Sequence, residues 1–60
     1  MQSFVIKYAN FRIDEILNAE ISQDEKNRAI NKIDNAVIDC RFDYISINDA
    51  MRIIANIDIN

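Results

Sequence analysis

Apolar residues recur along this chain with a helical period, and two polar links divide the pattern into three blocks. In the middle block Ile30, Ile33, Val37, Cys40, Tyr44 and Ile47 follow one another at alternating three- and four-residue steps, the spacing of a heptad seam. Ala29 and Ala36 flank that seam and let a neighbouring helix come close. Lys26, Asn27, Asn31, Lys32, Asp34 and Asn35 fall away from it. In the first block Val5, Ile6, Ala9, Ile13, Ile16 and Leu17 form a face opposite a polar stripe of Ser3, Lys7, Asn10, Asp14 and Asn18. The last block turns Ala50, Ile53, Ile54 and Ile57 inward and leaves Asp49, Arg52 and Asn56 outside. Helices are predicted at about 3–20, 23–43 and 47–57.

The links carry start signals. Ser22-Gln23-Asp24-Glu25 fits a capping box, in which the Ser22 hydroxyl accepts the Glu25 amide and the Glu25 carboxylate reaches back to the Ser22 amide. Asp24 and Glu25 also set negative charge in the first turn, where the helix dipole favours it. Ser46-Ile47-Asn48-Asp49 repeats the logic with Asp in place of Glu, and Ile45 with Ala50 offers a small hydrophobic staple. A strand reading competes over 39–47 and 54–60, where apolar positions alternate and β-branched Ile is frequent.

Composition decides between them. The chain contains no Gly and no Pro, whereas average usage would give roughly seven of the two together in this length. Without them, and with no Asn-Gly or Asp-Gly pair, there is little provision for hairpin turns. The expected fold is therefore all-α: one helical domain over 1–60, a helical hairpin plus a short third helix in a three-helix bundle, dimeric in assembly. Dimerisation is expected because a 60-residue domain buries only about 60% of its unfolded surface. A lone Cys40 supplies no intrachain disulfide, and without His a structural zinc site is not expected.

Charge narrows the partners. A net charge of −3 argues against nucleic acid and against anionic membranes. No apolar run approaches a membrane span, and Lys7 sits inside the first apolar stretch instead of ahead of it, which argues against a signal peptide. A cytoplasmic setting is expected, in keeping with one unpaired thiol. Thirteen Ile and eight Asn, both with AT-rich codons, suggest a bacterial or phage gene.

Enzyme chemistry is not expected, because the chain has no His, no Gly-rich phosphate loop and no paired-acid cleft. No cofactor and no metal are expected either. Cys40 reads as a small packed thiol on the seam, since no His is there to make it a thiolate. Asp39 and Asp43 read as a solvated like-charge pair near a helix end. What remains is a surplus of apolar surface. Phe4, Tyr8 and Phe11, at i, i+4 and i+7, lie to one side of the first helix's main face. Ile38, Phe42 and Ile45 form a second stripe on the middle helix. Arg12 lies between the aromatic stripe and the Ile/Leu face, with Glu15 three residues on to pair with it. These residues are the expected interface: Phe4, Tyr8, Phe11, Arg12, Ile38, Phe42 and Ile45. The functional expectation is a small non-catalytic regulatory protein that binds and modulates another protein through apolar helix faces, as a homodimer. The residues leave the target open. A nucleic-acid-binding regulator, through the Lys26, Arg28 and Lys32 cluster of the middle helix or through Asn48, Arg52 and Asn56 of the last, or an antitoxin-like neutraliser, are the alternative readings.

Overall fold

Three helices form where the apolar period places them: α1 (Gln2–Leu17), α2 (Gln23–Arg41) and α3 (Ile47–Ala55). They come from a computed structural model that describes residues 2–58. The strand reading is not realised: residues 39–41 complete α2, 42–46 form the link to α3, and no strand occurs among the described residues. Residues 59 and 60 of the second proposed strand lie outside the described residues.

Local chemistry explains each boundary. Ser22 takes an extended conformation and its Oγ accepts the Glu25 amide at 3.2 Å. The Glu25 carboxylate returns to the Ser22 hydroxyl, at 3.3 Å, where the sequence motif would have it meet the amide. Ser46 caps α3 in the same way, accepting the Asp49 amide at 3.0 Å. At the end of α1, Asp14 O accepts both the Asn18 amide at 3.1 Å and the Asn18 Nδ2 at 2.9 Å, and Leu17 O, which has no partner inside the helix, accepts the Lys26 ammonium at 2.9 Å. That cation also meets the negative end of the α1 dipole.

The end of α2 solves the missing-glycine problem. Tyr44 N donates to Asp39 O at 2.8 Å and Asp43 N to Cys40 O at 3.2 Å, the paired bonds of a Schellman motif. That motif needs a left-handed residue, and Asp43 supplies it at φ 62°. Asp tolerates this region better than most residues, yet its Cβ still adds strain that Gly lacks. Asp43→Gly is therefore expected to raise stability by about 1 kcal/mol, or about 4–8 °C in Tm. Asp43→Ala, with a Cβ and no compensating side-chain hydrogen bond, should lower it. A thermal melt of both variants checks the assignment, and a fall for the Gly variant contradicts it.

The core is a thin one. The Cα trace spans 32 × 16 × 14 Å, so the bundle is one helix long and narrow across. Its buried residues are Val5, Ala9, Ile16, Ala29, Ile33, Ala36, Cys40, Ala50 and Ile54. On α2 the deepest line runs through Ala29, Ile33, Ala36 and Cys40, with Ile30 and Val37 half-buried beside it. The small residues thus admit the neighbouring helices as expected. Three expectations need correcting. Tyr44 is 78% exposed, because α2 stops at Arg41 and the left-handed Asp43 ends the helical phase that would have carried Tyr44 onto the seam. Ile6 and Leu17 of α1 are largely exposed, because α1 meets both α2 and α3 and its buried line turns to Val5, Ala9 and Ile16. Ile53 of α3 is likewise exposed, on one flank of the buried Ala50–Ile54 line, while Met51 on the other flank is half-buried.

Candidate functional site

The five aromatic rings of this chain all lie outside the core. Phe4, Phe11, Phe42 and Tyr44 are 74%, 58%, 68% and 78% exposed, and Tyr8 is half-buried against the cluster. The interior is filled by smaller side chains, four alanines, three isoleucines, a valine and a cysteine, none of which carries a ring. On α1 the Tyr8 and Phe11 rings stack at 6.5 Å with 17° between their planes, and Phe4 lies one turn before Tyr8. At the other surface the Phe42 and Tyr44 rings meet at 6.5 Å and 42°.

Ile38 stands two residues from both Ala36 and Cys40, roughly 200° of helix rotation from each buried side chain. It therefore points away from the bundle, as does Phe42 two residues beyond Cys40. The α2 stripe is the outer back of the helix. Ile45 parts from it: the chain has left the helix by then, and Ile45 sits half-buried against the core in the link. Tyr44 takes its place beside Phe42, a contribution the helical period did not reveal because it arises from the turn. Ile6 and Leu17 add exposed apolar area on α1.

Arg12 has a different place. Its side chain is 12% exposed, and its guanidinium is held within the chain. Nε donates to Ile54 O at 3.2 Å, Nη2 donates to Ile57 O, and Nη1 pairs with Glu15 Oε1 at 2.9 Å. The Glu15 pairing follows the sequence expectation. The two carbonyls lie at the C-terminal end of α3, where a cation satisfies unpartnered acceptors and the helix dipole together. Arg12 is thus a clamp that ties α3 to α1, turned inward from the exposed rings of Phe4 and Phe11.

Between α2 and α3 runs an open groove of about 570 Å³. Arg28 and Lys32 of α2 line it with Arg52 and Asn56 of α3. Ala29, Ile53 and Ile57 give it an apolar floor, and Glu25 and Asp58 add negative charge. The sequence showed these cations as separate features of two helices; the fold brings them to one place. A smaller apolar dimple lies between α1 and α2 among Val5, Ile6, Val37, Cys40 and Arg41. Cys40 is a buried free thiol there. Among the described residues no group of His, Cys, Asp or Glu is arranged to hold a metal ion, and no helix is long and apolar enough to cross a membrane. Comparison with protein-family models, curated proteins and solved structures returns no match.

Proposed function

We propose that this protein is a small non-catalytic regulator that acts by association, first with a second copy of itself and through that dimer with a protein target. The observation that supports this reading is the placement of the rings. Aromatic side chains are the largest apolar groups a chain possesses, and stable small domains bury them. Here the core is built from Ile, Val, Ala and Cys while four of the five rings, Phe4, Phe11, Phe42 and Tyr44, are exposed. Exposed aromatic clusters of this kind mark binding surfaces, where a few rings supply most of the affinity.

The two surfaces serve different ends. The outer back of α2, with Ile38, Phe42 and Tyr44, points away from the bundle and suits the flat, self-complementary contact of a two-fold dimer. The α1 surface of Phe4, Tyr8 and Phe11 lies on another side and stays available to a target. Phe42→Asp is expected to keep the helical signal in circular dichroism, because Phe42 contributes little to the core, while the assembly falls to the 7.0 kDa chain. Phe11→Asp should keep both fold and dimer. A Phe42→Asp variant that retains the wild-type mass would remove α2 as the dimer surface. Loss of all structure in either variant would show that its ring supports the core.

A further inference from the structure

We infer that the groove between α2 and α3 is a binding site for a nucleoside phosphate. The chain carries seven cations against ten acids, yet three of the seven, Arg28, Lys32 and Arg52, line this one groove. Arg12 and Lys26 are used elsewhere, each holding backbone carbonyls of a helix end. Arg28 and Lys32 take no part in the Arg12–Glu15 pair or in the exposed, 3.7 Å Arg52–Asp49 contact. Arg28 and Lys32 are also one turn apart on the same helix, so they stand side by side along the groove.

The lining selects the ligand. Arginine forks and a lysine ammonium are the side chains that hold phosphate oxygens. The short link 42–46 returns α3 along α2, which sets Lys32 and Arg52 toward the link end of the groove and Glu25 and Asp58 toward the other. A pure polyanion would gain at the first end and lose at the second. A nucleoside phosphate matches both, with phosphates toward Lys32 and Arg52 and hydroxyl or amino donors toward Glu25. Between them the apolar floor of Ala29, Ile53 and Ile57 accepts the flat face of a base, and the Asn56 amide offers both a donor and an acceptor to its edge. A long nucleic acid would also have to approach the surrounding acidic surface of a chain with net charge −3, which a small ligand avoids.

Titration of backbone amide shifts with ADP, pyrophosphate and adenosine tests the site. ADP is expected to shift Arg28, Lys32, Arg52 and Asn56, and to bind more tightly than pyrophosphate or adenosine. Combined Arg28→Gln and Lys32→Gln should weaken ADP by about tenfold or more, while Arg41→Gln, outside the groove, should leave it unchanged. All three positions are exposed, so these variants should fold, and their unchanged amide spectra outside the groove verify it. Absence of shifts at about 5 mM ADP, a Kd of that order already being weak, would overturn the proposal. ADP binding no more tightly than pyrophosphate would also overturn it. So would tighter, steeply salt-dependent binding of a single-stranded oligonucleotide, which would make the groove a nucleic-acid surface.

Discussion

Ile33→Asp is expected to abolish the folded state. Ile33 is fully buried at the middle of α2, between Ala29 and Ala36, where all three helices meet. Removing its side chain alone costs about 2–5 kcal/mol in a packed core. The new carboxylate has no buried cation to meet, since the one inward-turned guanidinium among the described residues is committed to Glu15 and two carbonyls. Burying an unpaired charge adds several kcal/mol. A chain of this length has a total stability on the order of 3–9 kcal/mol, so the sum exceeds what the fold holds. Circular dichroism should show loss of most helical signal at 25 °C, with Ile33→Val close to wild type. A helical, cooperatively melting Ile33→Asp protein would contradict the position of the core.

Arg12→Met should have the second-largest effect and a different signature. The guanidinium makes two bonds to carbonyls at the end of α3 and one to Glu15. Charge-assisted bonds contribute about 1.5–3 kcal/mol when one partner is removed, and the cation's position at a helix C-terminus adds to that. Met keeps the apolar stem, so the loss reports the clamp and not the packing. We expect destabilisation of about 2–4 kcal/mol, concentrated in α3, with amide exchange there rising well before α1 and α2 open. Arg12→Lys should recover only part, because an ammonium lacks the planar fork that reaches two carbonyls at once. A Met variant that is stable and evenly protected would mean that the clamp contributes little.

The contrast between these residues shows what the chain reveals of itself. Ser22 and Ser46 are legible because a cap bonds to an amide three residues away, and that distance is fixed by the helix itself. Ile33 is legible because a helical period singles it out. The role of Arg12 is not, since its carbonyl partners are 42 and 45 residues away in sequence and only the packing of α3 brings them near. Tyr44 misled for a related reason. The seam pattern runs past the point where the helix ends, and the stop is an Asp in the left-handed region, which carries no glycine signal. The same ending sets Ile45 half-buried against the core and Tyr44 beside Phe42. Of the candidate surface, Phe4, Phe11, Ile38 and Phe42 were visible as apolar positions in excess of one face, and they are exposed. The groove was not visible, because Arg28, Lys32, Arg52 and Asn56 converge only when α2 and α3 pack.

If the outward rings exist for association, the mass of the protein in solution depends on its concentration. Light scattering on a sizing column over a wide range of protein concentration is expected to give a species of twice the 7.0 kDa chain mass that dissociates on dilution. A 7.0 kDa species at every concentration would contradict self-association.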